Sequence, residues 1–150
     1  EGDEYNREHI IPKSWFGEST PMYYDGHHLL PTDGKINGLR SEYPFGEVSG
    51  NGSYHYTFDN YVSGTSKLGS SSFSGYTGTV FEPADCYKGD IARIYFYFVT
   101  TYYDKTLTND DGSKVFSTST RDTAKLYGFT DYAKNLFLST NSSFMPASLK

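Results

Sequence analysis

The amino-acid sequence predicts an α+β fold with a small antiparallel sheet, helices and a long loop region rich in Gly, Ser and Tyr. Three differences in composition along the chain lead to this prediction. Residues 1–41 contain two short apolar runs that end at Pro12 and Pro31, as short strands would. Residues 42–80 are rich in Gly, Ser and Tyr and show no sustained period. Residues 81–150 contain the clearest helical spacing of apolar side chains.

The first region predicts a strand, a loop, a second strand and a short helix. The strands are expected in the apolar runs His9–Ile11 and His27–Leu30, each of which ends at a proline. Thr32 is a suitable N-cap for a helix that begins at Asp33 and contains Arg40. The polar residues of this region are thereby concentrated at the ends of short elements.

The middle region predicts one strand among turns. Turns are expected at Gly50–Gly52 and at Ser74-Gly75. Tyr54, Tyr56 and Phe58 alternate with polar residues, which is typical of a strand. The rest of the region is expected to be a loop on the surface.

The last region predicts two helices. Asp85 is a suitable N-cap for the first helix, in which apolar residues recur at helical spacing from Ile91 to Tyr102. The second helix is expected at Asp131–Leu138, with Thr130 as its N-cap.

The bulk composition limits the classes of protein to consider. The chain has 150 residues, enough for one domain with one modest core. Aromatic residues make up 18 %, so the core is expected to be built from rings. The net charge of −5 is unlike that of a general nucleic-acid-binding protein, whose affinity comes from basic residues. An enzyme that binds a divalent cation at one site can still act on a polyanion. Cys86 has no second cysteine with which to form a disulfide.

Glu8 and His9 are adjacent residues that suit acid–base and metal chemistry. A carboxylate is a hard ligand for Mg²⁺ or Mn²⁺, and a neutral imidazole can accept a proton from water near pH 7. Neighbours on an extended chain point to opposite sides, so one can face a metal while the other faces the substrate. By itself, such a pair is more often a packed or surface histidine next to a solvated glutamate.

Asp25, His27 and His28 form a second polar group. A pair of histidines close to an aspartate suggests either a metal site or a proton-transfer network. As a zinc site the pattern is weak, because the helical spacing of two zinc-binding histidines is missing. Two turn histidines bonded to the backbone would give the same pattern.

Further polar residues lie on the predicted helices. Asn37 offers a neutral oxygen ligand, and Arg40 follows one helical turn later, so both can share a face. Lys88 and Arg93 lie near the start of the next helix, where both could face a phosphate. A solvated helix surface with paired charges is the alternative interpretation of each segment.

Taken together and in this order, the segments resemble the bacterial endonuclease I family of His-Me finger, or ββα-metal, nucleases. The resemblance covers about residues 1–104. The residues that carry it are Tyr5–His9, Pro12–Phe16, Asp25–Leu29, Pro31–Gly38, Arg40–Ser41, Tyr43–Val48, Phe81–Asp85, Lys88–Arg93 and Tyr95–Tyr97.

The resemblance implies roles for the matched residues. His9 would activate the attacking water as the general base. Glu8 and Asn37 would hold one Mg²⁺, or Mn²⁺ or Ca²⁺ in its place, and the metal would stabilise charge on the phosphate.

The resemblance also implies what surrounds this centre. Asp25, His27 and His28 would orient the base and the metal shell. The loop after Trp15 lacks the Arg with which some members of the family clamp the phosphate. Arg40, expected to act in catalysis, and Lys13, Lys88 and Arg93, expected to bind substrate, are the candidates for that charge.

The function implied is that of a secreted or periplasmic endonuclease that cuts DNA, and RNA as a second substrate, with little sequence preference. No membrane and no obligate protein partner are expected. Residues 1–150 are expected to form a single nuclease domain, either a fragment without the N- and C-terminal family segments or a divergent minimal form. One alternative is a non-catalytic module that binds carbohydrate or protein through loops such as Ser70–Tyr76. Another is a zinc hydrolase built on His9, His27 and His28.

Overall fold

The computed structural model describes residues 5–58, 64–108, 110–118 and 125–145. Three helices and seven strands, in three small antiparallel sheets, are found in these ranges. The helices are α1 Gly34–Arg40, α2 Asp85–Thr101 and α3 Asp131–Leu138. The strands are β1 Tyr5–His9, β2 Leu29–Asp33, β3 Tyr54–Phe58, β4 Gly64–Ser70, β5 Thr79–Glu82, β6 Phe116–Thr118 and β7 Leu126–Phe129. The predicted α+β class is confirmed. None of the helices in the described ranges has the length and apolar character needed to cross a membrane.

The strand–loop–strand–helix order predicted for the first region is confirmed, but both strands are displaced. β1 ends at His9, and β2 begins only at Leu29, which pairs with His9. The prediction of a second strand over His27–Leu30 is wrong at both ends. His27 belongs to a 3₁₀ turn, and the strand continues through Pro31, which a two-stranded sheet tolerates because each strand is an edge.

The segment between β1 and β2 belongs to the hydrophobic core. Trp15 and Phe16 are 0 % exposed and Met22 is 2 % exposed. Two 3₁₀ turns, Lys13–Phe16 and Met22–Tyr24, carry these side chains inward. The loop that joins the two strands is therefore held by its own apolar residues.

The predicted N-cap residues of α1 and α2 are wrong by one position. Asp33 caps α1, and its Oδ1 accepts hydrogen bonds from the backbone N–H of Lys35 at 2.8 Å and of Ile36 at 3.0 Å. Thr32 instead lies within β2. In α2 the predicted cap Asp85 is the first helical residue.

Both ends of α3 and its N-cap agree with the prediction. The helix spans Asp131–Leu138, and the Thr130 hydroxyl accepts a hydrogen bond from the N–H of Ala133. The prediction of a strand at Tyr54–Phe58 is likewise confirmed.

The prediction that the rest of the middle region is a surface loop is wrong, because β4 and the start of β5 lie there. β4 pairs with both β3 and β5. Gly52 lies close to this sheet with φ +67°, and a Cβ atom there would lie 2.4 Å from the Leu68 carbonyl oxygen. The glycines therefore allow close packing of backbone as well as turns.

The core is built from aromatic rings around α2, as the composition predicts. The ring of Phe98 lies 5.9 Å from Phe16 and 5.2 Å from His28 on the side of the β1–β2 hairpin. It lies 5.8 Å from Phe116 on the side of the C-terminal elements. α2 therefore supports the hairpin from behind, and this support fixes the position of the polar residues described next.

Candidate active site

A cleft of about 1200 Å³ is bounded by the β1–β2 hairpin and α1 on one side and by α2 on the other. Its walls include the side chains of Glu8, His27, Asn37, Arg40, Arg93 and Tyr97. Glu8 and Asn37, the two expected metal ligands, thus face the same cleft. Most of the remaining wall is apolar.

The Glu8 carboxylate is buried in the wall of this cleft and paired with Arg40. Glu8 is 8 % exposed, and its Oε1 accepts a hydrogen bond from Nη1 of Arg40. Among the described residues, no partner bonds to its Oε2. Burial raises the pKa of Glu8, and the charge and hydrogen bond of Arg40 partly offset this rise. Because no described residue bonds to Oε2, this oxygen is available for a cation.

Arg40 holds the end of β1 in place. It is 3 % exposed, and it donates to the carbonyl oxygens of His9 at 3.0 Å and Ile10 at 2.7 Å as well as to Glu8. The guanidinium also lies over the ring of Phe45, at 4.5 Å from its centroid. In this structure the charge of Arg40 is directed at β1, which makes Arg40 a positioning residue for Glu8 and His9.

Asn37 lies one turn before Arg40 on α1, and both residues line the cleft, which agrees with the prediction that they share a face of the helix. Its Nδ2 donates a 3.4 Å hydrogen bond to the carbonyl oxygen of Arg7. This bond leaves Oδ1 as the free ligand atom of the amide.

The donor set fits a hard cation. Mg²⁺ is commonly bound by one or two protein oxygens, with waters and substrate phosphate completing the shell. Glu8 and Asn37 offer two such oxygens on one cleft. Over the ranges that the structure describes, no group of three or more His, Cys, Asp or Glu side chains is placed to hold a metal. His9, His27 and His28, on which the zinc-hydrolase alternative depends, lie within these ranges.

His9 has the environment of a neutral base. Its Nε2 lies 3.2 Å from the Tyr23 carbonyl oxygen, and its ring stacks on Tyr23 with a centroid separation of 5.4 Å. A proton on Nε2 would make this contact a hydrogen bond and leave Nδ1 as the acceptor. Burial lowers the pKa of His9. The Tyr23 carbonyl opposes this effect, while the charges of Lys13 and Arg7 add to it.

His28 supports His9 from the core side. It is 0 % exposed, and its Nε2 lies 2.7 Å from the Met22 carbonyl oxygen. The His9 and His28 rings meet edge to face at 5.6 Å, with Phe98 behind His28 at 5.2 Å. Burial lowers the pKa of His28, so it remains neutral and packs as an aromatic ring.

Asp25 joins the loop to α2. Its carboxylate accepts hydrogen bonds from Tyr97 Oη at 2.8 Å, Tyr102 Oη at 2.5 Å, the His27 backbone N–H at 2.9 Å and His27 Nδ1 at 2.8 Å. Burial opposes ionisation, but the hydrogen bonds from Tyr102, His27 and Tyr97 hold the pKa of Asp25 well below its usual range. The His27 ring is 75 % exposed and packs on Tyr97, apart from His9.

The remaining basic residues have different surroundings. Lys13 is half exposed and pairs with Glu18 at 2.8 Å, close to the Tyr23 ring. Arg93 is exposed on the cleft wall and pairs with Asp90. Lys88 is 2 % exposed, with its ammonium at 2.7 Å from Glu82 and 2.6 Å from Asp85.

Lys88 is buried and its charge is paired with Glu82 and with the exposed Asp85, so it is not placed to bind substrate as the sequence predicts. The structure instead adds Tyr23, Tyr97 and Tyr102, which sequence reasoning passed over. Tyrosines are common throughout this chain, so neither their type nor their spacing singled these three out.

The family model for endonuclease I matches residues 1–148, and the chain belongs to this family of nucleases. Among its relatives is the protein named "Extracellular ribonuclease" of Bacillus subtilis (strain 168). The two are 34 % identical over 111 residues, which is 73 % of this chain and 31 % of the relative. A protein of the same name from Bacillus amyloliquefaciens is 34 % identical over 101 residues, which is 66 % of this chain and 29 % of the relative. The chain thus spans about a third of the length of these relatives.

Proposed function

We propose that this chain is a metal-dependent endonuclease that hydrolyses phosphodiester bonds of DNA and RNA with little sequence specificity. The observation that carries the proposal is the end of β1. There Glu8 faces the cleft that it shares with Asn37, and the next residue, His9, presents a neutral imidazole with a free Nδ1. The endonuclease I family supports the reaction class.

The alternation of side chains along a strand suits in-line displacement at phosphorus. Glu8 and His9 are consecutive in β1, so their side chains leave opposite sides of one backbone. A phosphate at the strand end would then have the base on one side and the metal ligands on the other. Displacement in line requires this separation, because the attacking and leaving oxygens lie on opposite sides of phosphorus.

His9 carries out the proton transfer. Its Nδ1 accepts a proton from water as the water oxygen bonds to phosphorus and the ester P–O bond breaks. The leaving alkoxide takes up a proton from solvent. The Tyr23 carbonyl holds the imidazole in the tautomer that keeps Nδ1 free, and His28 prevents the ring from turning into the core.

Glu8 and Asn37 would hold Mg²⁺, or Mn²⁺ or Ca²⁺ in its place, which when bound would stabilise negative charge on the phosphate and leaving oxygen. Arg40 keeps the Glu8 carboxylate in position from the buried side. In this proposal Lys13 and Arg93 attract the phosphate chain, although each has a carboxylate neighbour. His27 is held by Asp25 at the cleft wall, where it orients the surrounding shell.

The substrate and location follow from the same considerations. Every nucleotide carries the same phosphate, so contacts to the phosphate select little among the bases. The two relatives are named ribonucleases, which supports RNA as a substrate beside DNA, and named extracellular, which supports a secreted or periplasmic location.

Digestion of plasmid DNA and of a long RNA tests this function. With Mg²⁺ both should be cut, and a chelator should stop the reaction. His9→Ala should lower the rate by roughly two to four decades, the usual effect of losing a general base. Lys134→Ala, an exposed change on α3, is the matched control. Cleavage by His9→Ala at the wild-type rate contradicts the mechanism. Tight ligand binding without cleavage, unchanged by metal or by Glu8→Ala, indicates the binding-module alternative.

A further inference from the structure

We propose that Tyr24, supported by Tyr23, forms a stacking platform beside His9 for an unpaired nucleobase of single-stranded DNA or RNA. The inference rests on the proposed function and extends it to the form of the substrate. It assigns a binding role to two tyrosines that the hydrolysis mechanism uses only through the backbone carbonyl of one of them.

Three aromatic rings in contact extend from His9, the proposed general base, to the protein surface. His9 stacks on Tyr23, with ring centroids 5.4 Å apart and an interplanar angle of 22°. Tyr24 meets Tyr23 edge to face at 5.0 Å. Tyr24 is 76 % exposed, so most of its surface is open to solvent. A nucleotide whose phosphate lies at His9 carries its base one ribose away, within reach of this exposed ring.

The backbone beneath the platform is fixed. Both tyrosines belong to the 3₁₀ turn Met22–Tyr24, in which Met22 is buried in the core. The N–H of Tyr23 donates to the Ser19 carbonyl at 3.0 Å, and the N–H of Tyr24 donates to the Pro21 carbonyl at 3.1 Å. The next residue, Asp25, accepts hydrogen bonds from Tyr97 of α2 and from Tyr102, the residue that follows this helix. A ring on a fixed backbone loses little conformational freedom when a base stacks on it.

Positive charge lies next to these rings in a chain whose net charge is −5. The ammonium of Lys13 is 5.8 Å from the centroid of the Tyr23 ring, and Glu18 partly neutralises it. Arg7, two residues before His9 on β1, is exposed and makes no ion pair with the residues that the structure describes, so a second cation lies on the His9 side of the strand. Aromatic rings combined with nearby cations are the usual means of binding single strands without sequence preference.

The platform distinguishes single strands from duplexes. A paired base is stacked between its neighbours and hides both faces, whereas an unpaired base can lie on an aromatic side chain. Tyr24 therefore contributes to binding of single-stranded substrates and contributes little to duplex binding. Because every base has a π face, the preference applies to all sequences.

The test compares one sequence as a single-stranded oligonucleotide and as a blunt duplex, with kcat and KM measured for each. Tyr24→Leu should raise KM for the single strand by about tenfold, within the range expected for loss of one base stack. The KM for the duplex and both kcat values should change little. Tyr24→Phe keeps the ring and should behave as wild type. Tyr127→Leu is the matched control, because Tyr127 is 61 % exposed and also contacts a second tyrosine.

Two results overturn the platform. One is a wild-type KM for Tyr24→Leu on the single strand, and the other is an equal rise in KM on both substrates. If the wild-type chain cuts neither substrate, the proposed function fails and the platform is tested by binding alone. The Kd of the same single strand is then measured by fluorescence anisotropy for wild type and Tyr24→Leu. Equal values refute the platform, and a weaker Kd for Tyr24→Leu supports it.

Discussion

The guanidinium of Arg40 binds the carboxylate of Glu8 in the wall of the cleft, and both side chains are at most a tenth exposed. Arg40 also donates to the carbonyl oxygens of His9, the last residue of β1, and of Ile10, which follows the strand. Through these bonds one side chain of α1 sets the position of both the candidate metal ligand and the candidate base.

Removal of Arg40 should destabilise the fold as well as the site. Arg40→Ala leaves the Glu8 charge buried without a partner, and the free energy of unfolding should fall by about 3–5 kcal/mol. Urea unfolding followed by circular dichroism measures this loss. The double variant Glu8→Gln/Arg40→Met removes both charges and should regain part of the stability while remaining inactive. If Arg40→Ala is as stable as wild type, the Glu8–Arg40 pair contributes nothing to the free energy of unfolding.

The activity should fall on the acidic side of neutrality. Burial lowers the pKa of His9 below the ordinary value of 6.5, so the imidazole is neutral at pH 7, and protonation at lower pH removes the base. kcat/KM measured from pH 4 to pH 8 should therefore show an acidic limb below about pH 6.5.

The raised pKa of Glu8 adds a second group to this limb, and metal concentration separates the two. Protonation of Glu8 weakens metal binding, so its part of the limb should move to lower pH as Mg²⁺ is increased. The part caused by His9 should not move in this way. A rate that rises as the pH falls from 7 to 5 would exclude a neutral imidazole as the base.

Loss of the Asn37 ligand should raise the requirement for metal. Asn37→Ala removes one of the two protein oxygens proposed to bind the metal, and the Mg²⁺ concentration that gives half of the maximal rate should rise by about tenfold or more. Asn37→Asp keeps an oxygen in place and should need less metal than Asn37→Ala. If all three proteins respond equally to Mg²⁺, Asn37 is not a ligand.

Asp25 should stabilise the fold in a pH-dependent manner. Its pKa is depressed in the folded chain, so its contribution is present above the unfolded value of 3.8 and is lost as the pH falls through the folded value. Asp25→Asn should lower the free energy of unfolding by about 2 kcal/mol at pH 7, as expected when hydrogen bonds to a charged group are lost. Urea unfolding should show that the free energies of unfolding of wild type and Asp25→Asn differ less at pH 3 than at pH 7. A difference that grows at pH 3 contradicts this assignment.

The local features of the fold could be predicted from the sequence. The helix Asp131–Leu138 and its Thr130 cap were correct, because capping and helical periodicity depend mainly on neighbouring residues. The caps of α1 and α2 were each misplaced by one residue. β4 was missed, since Gly64–Ser70 contains one large apolar residue, Leu68, and pairs with strands on both sides. Its strand structure is set by partners distant in the chain.

In the candidate site, too, local spacing could be predicted from the sequence and contacts between distant segments could not. The shared face of Asn37 and Arg40 follows from helical spacing, and the structure confirms it. Spacing does not say whether that face meets solvent or another strand, so the burial of Arg40 against β1 was not predictable. The same reason applies to Lys88, which was expected to face a phosphate and is instead buried and paired with Glu82 and Asp85.

The loop between β1 and β2 carries Trp15, Phe16 and Met22 into the core, and this has a consequence for inactivation by heat. The Tyr23 carbonyl that orients His9 belongs to the same loop. The catalytic geometry therefore melts with the hydrophobic core as one cooperative unit. Residual activity and helical circular dichroism, followed on one temperature ramp, should decline at a common midpoint.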